Sequence, residues 1–326
     1  MTTTSYGLCF HRDEPAASVI DRAKAAEAGG FDEFWLIEDC FYTAGISLAA
    51  TALAATSDIT VGVGIMPVVA RNAAVTAMEI ATLAEIAPGR FHAGLGHGVQ
   101  EWMRQMDAVV ASPLTVLEET FVAVQRLLEG DTVTTSGRYV TLDGVALDQP
   151  PAQKPLLSAG VRGPKSLAIS GRVADGTILA DFVNAEYVRW VRSLVGDDHR
   201  ITVFASLAMG PVEAHPFIRE GMAGFMAEVA GSGAAGEGAP ISLRMAPFFD
   251  ELAAQAQESS WFDAVVAMPD EWFTQIAAFG TPVQAASYVR SLVEAGADAV
   301  TFFPNPEDGL SDGDYAAAEL LPLLRS

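Results

Sequence analysis

Few residues in this chain combine a reactive type with a spacing that suits chemistry. His97 sits inside Gly94-Leu95-Gly96-His97-Gly98, where an imidazole could donate or accept a proton near neutral pH. The glycines around it either let a planar ring lie on bare backbone or form a tight turn. Glu38-Asp39-Cys40 places two carboxylates and a thiol in succession. Alternation along an extended stretch sends one carboxylate inward and the other away, and Asp39 is expected to be the functional partner, with Cys40 beside it. Both carboxylates also suit helix capping or solvent. Gly160-Val161-Arg162-Gly163-Pro164-Lys165-Ser166 has the make-up of an anion cradle. Glycine permits close backbone approach, proline suits a first helical turn, and the free N–H groups and dipole of a helix start favour negative charge. Arg162 and Lys165 supply positive charge that is scarce elsewhere in the chain. An ordinary loop and cap has the same composition.

Such residues need a frame that brings them together. Apolar runs and helical periodicity alternate along the chain, with strands expected over residues 6–10, 33–37, 59–65, 90–95, 155–159, 176–179, 201–207 and 299–303. Helices fall between them, including a long one ending near Leu128 and others over 165–172, 185–194 and 282–294. Eight strands alternating with helices imply parallel pairing with right-handed crossovers, and closure into a (β/α)₈ TIM barrel is the economical solution. Two stretches break the rhythm, 131–149 after strand four and about 213–279 after strand seven. They read as insertions on a single domain spanning residues 1–326, the second flanking the mouth. In such a barrel the residues just after each strand converge on one face. These are His11; Glu38, Asp39 and Cys40; Gly64, Ile65 and Met66; Gly96, His97 and Gly98; the stretch from Gly160 to Ser166; Asp181; and Pro304 with Asn305.

Composition narrows the function classes. Half of the 326 residues are hydrophobic and 18% are charged, enough for a buried core. A formal charge of -22 without any Lys/Arg run opposes polyanions, so nucleic acid is not an expected partner. The first residues lack a basic segment followed by an apolar one, and no apolar run reaches the roughly 18 to 20 residues that span a bilayer. The expectation is a cytoplasmic protein without membrane association. Cys9 and Cys40 are too few and too unpatterned for a zinc site or a disulfide framework, so no metal is expected. Walker loops, nucleophile elbows and a GxGxxG after the first strand are missing from the sequence, and hydrolase and kinase chemistry lose support.

The chain resembles the luciferase-like monooxygenase superfamily, in particular its branch dependent on the deazaflavin coenzyme F420 and its methylenetetrahydromethanopterin reductase-like proteins. The resemblance rests on Gly62-Val63-Gly64-Ile65-Met66-Pro67 with Arg71-Asn72, on Ala87-Pro88-Gly89-Arg90-Phe91 followed by Gly94 to Gly98, on Gly163-Pro164-Lys165-Ser166-Leu167 with Gly171 to Gly176, and on Gly280-Thr281-Pro282 with Ala295 to Asp298. It implies a non-prolyl cis peptide at Gly64-Ile65 forming a bulge under the cofactor ring. It also implies a cofactor lined by Asp39, Gly64, Ile65, Gly96, His97, Gly98 and the turn Gly160, Val161, Arg162, Gly163, Pro164 and Lys165. The activity implied is hydride transfer between coenzyme F420 and a small organic substrate, reducing an activated C=C or C=N bond. His97 is the first candidate for the proton, with Asp39, Cys40 and Glu101 behind it. Two rivals are an FMN-dependent monooxygenase and a noncatalytic cofactor-binding protein, and relatives are often homodimers. Departures are visible too. Sugar-phosphate dehydrogenases of the branch carry a His after the strand-two acid and a Glu in the strand-four turn, where this chain has Cys40 and Val99, and Arg71-Asn72-Ala73 replaces the usual Arg-His-Pro.

Overall fold

The computed structural model describes residues 4–209, 215–230, 239–304 and 309–326. Eight parallel strands close on themselves: β1 (Ser5–Phe10), β2 (Glu33–Leu36), β3 (Thr60–Pro67), β4 (Phe91–Gly96), β7 (Leu156–Gly160), β8 (Gly176–Leu179), β9 (Arg200–Met209) and β11 (Ala299–Phe303), with β8 pairing to β9 to complete the ring. The remaining strands lie outside that ring. β5 (Val133–Ser136) and β6 (Thr141–Val145) form an antiparallel hairpin in the insertion after the fourth barrel strand, and β10 (Ala278–Gly280) pairs with the end of β9. The architecture is a (β/α)₈ barrel. Its strands are buried on both faces, because helices cover the outside and side chains fill the inside. Period two sends Cys9, Trp35, Ile178 and Phe204 into the interior, where they form one apolar cluster.

The helices follow local signals. α1 (Val19–Ala28) and the alanine-rich α2 (Gly45–Ala55) and α3 (Ala73–Ile86) pack closely on the barrel. Asn72 caps α3 by accepting from the Ala74 N–H at 2.9 Å, so asparagine where the resemblance implies a histidine has a local structural use. The single helix expected to end near Leu128 is two, α4 (Gln100–Gln105) and α5 (Pro113–Leu128). The break runs from Asp107, whose left-handed φ of 55 stops α4, to Pro113, which starts α5 after the non-helical Ser112. α6 (Pro164–Val173) and α7 (Ala185–Val195) complete the regular units.

Between β9 and β11 the chain adds α8 (His215–Ala230), α9 (Ile241–Arg244), α10 (Phe249–Glu258), α11 (Trp261–Val266) and α12 (Asp270–Phe273), followed by β10 and α13 (Pro282–Glu294). These insertion helices share a second core with Phe182 and Ala208, which lie at the C-terminal ends of β8 and β9. Ser242 on α9 donates from Oγ to the Asp181 carbonyl at 2.5 Å, and Asn184 donates from Nδ2 to the Ser242 carbonyl at 2.7 Å. The insertion is therefore tied to the mouth side of the barrel. Among the described residues no helix is long and apolar enough to cross a membrane.

Candidate active site

The floor of the mouth is apolar. The peptide between Gly64 and Ile65 is cis, as the resemblance implies, and the pairing of β3 with β4 shifts register between Val63 and Met66. Ile65 packs on the interior cluster of Trp35, Ile37, Ile178 and Phe204. The surrounding glycines make room for this side chain. A Cβ on Gly160 would lie 2.5 Å from Ile65 Cγ2, one on Gly96 2.8 Å from Cδ1, and one on Gly94 3.2 Å from Cγ2. Gly94 and Gly96 belong to β4 and not to a turn; only Gly98, at φ +72, needs the left-handed backbone that favours glycine.

The polar rim starts beyond β2, which ends at Leu36, so strand alternation does not govern Glu38 and Asp39. Both are instead directed by arginines. Glu38 accepts from Arg71 Nη2 at 2.8 and 3.0 Å and from the Gly45 N–H at 2.8 Å, which fixes the start of α2. Asp39 accepts from Arg12 Nη1 at 2.8 Å, and the same guanidinium lies 4.8 Å from the centre of the Tyr42 ring. Arg12 was not foreseen, because nothing in a sequence announces that a residue two positions past β1 will meet one three positions past β2. Cys40 lies alongside, and burial followed by the Glu38 and Asp39 charges pushes its thiol above the ordinary value. Asp39 and Cys40 line an open groove of ≈ 520 Å³ with Pro67, Arg71 and Met106. Cys9 is fully buried and its thiol is held well up by that burial.

Two imidazoles occupy the rim. His97 follows β4 with its Nδ1 buried and, among the described residues, without a hydrogen-bond partner of good geometry. Burial lowers its pKa, opposed by the nearby Pro113 carbonyl. His11 follows β1, is 8% exposed, and meets the Phe303 ring edge-on at 5.1 Å. Glu101 is directed into an exposed pair with Arg104 at 2.5 Å.

The glycine turn after β7 opens α6. Gly163 is its N-cap and supplies no side-chain cap. A Cβ there would meet nothing nearer than Ser166 Oγ at 3.9 Å, so the backbone is open to close approach. Lys165 is exposed and makes no ion pair among the described residues. Arg162 is held by Asp181, and its carbonyl accepts from Tyr187 Oη at 2.9 Å. Val161 is buried, and Pro164 begins the helix.

Strand order explains what converges. β1, β2, β3, β4 and β7 are consecutive neighbours in the ring, so His11, Asp39, Cys40, Ile65, Gly96, His97, Gly98 and the Gly160 to Lys165 turn rise from adjacent strands. Pro304, just past β11 and so beside β1, is buried; Asn305 lies outside the described residues. Among the described residues no three of His, Cys, Asp and Glu gather as metal ligands. The arrangement offers an apolar floor, a rim able to exchange protons, and an uncapped helix start suited to an anion.

Comparison with known proteins gives a consistent picture. A family model described as luciferase-like monooxygenase matches residues 2–299. The chain is 34% identical over 176 residues to a 5,10-methylenetetrahydromethanopterin reductase of Methanolobus tindarius, covering 54% of this chain and 53% of that one. An F420-dependent glucose-6-phosphate dehydrogenase of Nakamurella multipartita is 27% identical over 176 residues, covering 50% and 51%. The chain thus spans about half the length of the curated relatives it matches. The structure of a coenzyme F420 dependent tetrahydromethanopterin reductase from Methanopyrus kandleri superposes with a TM-score of 0.79 at 18% identity, covering 98% of this chain and 99% of that one. At that identity the likeness shows the fold.

Proposed function

Since the chain belongs to the luciferase-like monooxygenase family, we propose that it is an oxidoreductase transferring a hydride between the deazaflavin coenzyme F420 and a small organic substrate, in the direction that reduces an activated C=C or C=N bond. The observation that carries this reading is the start of α6, with an open Gly163, no side-chain cap and a Lys165 that makes no ion pair among the described residues, beside a rim that carries the buried His97 imidazole. A phosphate-bearing ring cofactor fits both features. The relatives' names point to F420.

When bound, the deazaflavin supplies the hydride. The chain does the rest. Backbone N–H groups of the Gly160 to Lys165 turn and the Lys165 ammonium bind phosphate, with Arg162 available once it leaves Asp181. Ile65 and the strand ends of Gly64, Gly96 and Gly98 give the ring a dry, shaped support, and exclusion of water strengthens every polar contact at the rim. Arg12 fixes one oxygen of Asp39 and leaves the other for a ligand. His97, which burial keeps predominantly neutral near pH 7, accepts or returns a proton. The Cys40 thiol stays protonated and acts as a weak donor. The insertion held through Ser242 shapes the substrate side of the pocket.

A second reading, an FMN-dependent monooxygenase, draws on the description of the family itself. Titration of apo-protein with F420 and with FMN, followed by fluorescence and melting, separates the two. F420 at about 100 times its Kd should stabilise the fold by about 2.7 kcal/mol. Tight FMN binding with no response to F420 would overturn the deazaflavin reading.

A further inference from the structure

We propose that His11, together with Asp13, is an acid–base dyad of this site, exchanging through Nε2 the proton that accompanies hydride transfer. This rests on the oxidoreductase reading above and adds a catalytic residue that the reading does not use.

The position comes from the end of β1 and from one ring contact. His11 is the first residue past β1, whose Cys9 belongs to the interior cluster with Trp35 and Phe204. Phe303, against whose edge the His11 ring rests at 5.1 Å, packs on that interior cluster. The imidazole is therefore at the top of the barrel lumen, across from the strand-four turn that carries His97.

The orientation is fixed by the turn that follows. Glu14 Oε1 accepts the His11 backbone N–H at 3.0 Å, and the Glu14 N–H donates to the His11 carbonyl at 3.1 Å. The Glu14 carboxylate is itself clamped by the buried Arg22 at 2.7 Å. Asp13 meets Nδ1 twice, with its amide nitrogen at 3.3 Å and Oδ2 at 3.2 Å. The amide suits a lone pair on Nδ1 and the carboxylate suits a proton there, so the ring keeps a partner in either protonation state. Among the described residues Nε2 has no hydrogen-bond partner. A base oriented by a carboxylate through one nitrogen, with the other nitrogen free, is what proton exchange with a substrate requires.

The step balances as follows. The substrate C=X bond gains a hydride from the reduced deazaflavin at carbon and a proton from His11 Nε2 at X, and the neutral imidazole regains its proton from solvent. In the reverse direction Nε2 takes the proton of X–H as the C–H electron pair departs. The charged groups around the ring are Asp13, Glu14 and Asp39, which favour the imidazolium, and Arg12, which opposes it; burial is the largest influence and favours the neutral form.

The test uses the full chain labelled with [15N]histidine, in wild-type and His11→Gln forms, with F420 as cofactor and 2-cyclohexen-1-one as a probe acceptor. The variant assigns the His11 signals among the five histidines. The proposal expects the Nε2 resonance of His11 and its titration midpoint to move on saturation with F420, while His92 and His199 stay fixed. His11→Gln should bind F420 as wild type does and reduce the probe about a hundredfold more slowly, without the pH dependence. An unmoved His11 signal, or a variant that keeps the wild-type rate and pH profile, would overturn the proposal while leaving the oxidoreductase reading standing. The NMR arm decides even if the probe is not turned over. Failure of wild-type protein to bind F420 would overturn the reading beneath it and the proposal with it.

Discussion

Gly160→Ala tests whether the glycines at the mouth exist to house Ile65. The new Cβ would stand 2.5 Å from Ile65 Cγ2, about 1 Å inside an ordinary carbon contact. Ile65 fills the space left by these glycines, its Cδ1 and Cγ2 lying 2.8 and 3.2 Å from where Cβ atoms on Gly96 and Gly94 would be, and it can yield only toward the mouth, where it is half-buried. Overpacking of this kind costs about 1–3 kcal/mol, partly offset by the about 0.4–1 kcal/mol that alanine gains through the unfolded chain. With an unfolding entropy of about 2.1 cal/mol/K per residue over 326 residues, the gross cost corresponds to a Tm lowered by about 1.5–4.5 °C. Calorimetry and denaturant melts of the four members of a cycle with Ile65→Ala provide the assay. Ile65→Ala alone should cost about 1–2 kcal/mol, because the half-buried side chain faces the mouth and leaves no closed cavity, and in that background Gly160→Ala should cost nothing. An equal cost in both backgrounds, or no cost in either, would refute the packing argument.

Three further outcomes follow from other parts of the site. Gly163→Ala meets open space at a φ of −90°, so its stability should stay within about 0.5 kcal/mol of wild type, while fluorescence titration should show F420 affinity reduced about tenfold; unchanged affinity would remove Gly163 from the phosphate site. Asp181→Asn releases Arg162 at a residue whose φ of 64 suits asparagine equally, and should tighten binding of F420 about threefold at low ionic strength and not at high; a salt-independent change would count against the electrostatic account. His92 is fully buried with a pKa lowered to about 3 by desolvation and then by Arg200. Its folded pKa lies below the unfolded value of about 6.5, so the unfolded chain binds the extra proton and stability falls as pH drops below that value. Between pH 6.5 and 5 this residue alone should remove about 1.7 kcal/mol, measured by denaturant melts, and His92→Asn should flatten the slope; a wild-type profile flat over that window would contradict it.

Much of the barrel is written in local pattern. Strands such as residues 156–160 and 176–179 are short apolar runs bounded by glycine and charged residues, and Thr281 with Gln284 forms a capping box at the start of α13. The boundary after Gln105 was harder to read, since the apolar periodicity of α4 and α5 continues through Ser112 and only Pro113 marks the join. β10 was missed because three residues, Ala278–Gly280, carry no period long enough to recognise.

Within the site the division follows from the range of each interaction. Residue types and nearness to strand ends, both local, were enough to place His97, Asp39, Cys40 and the Gly160 to Lys165 turn at one mouth. Pairings across the chain were not. Arg12 meets Asp39 across 27 positions, Arg71 meets Glu38 across 33, and Ser242 on the insertion meets Asp181 across 61. Each of these contacts is set by barrel closure. The sequence by itself determined which groups reach the mouth, since strand periodicity and helix starts are properties of neighbours along the chain. Only the tertiary structure decided that Gly94, Gly96 and Gly160 make space for Ile65 and that His11 rests against Phe303 with no Nε2 partner among the described residues, because both facts depend on which strands become neighbours when the sheet closes.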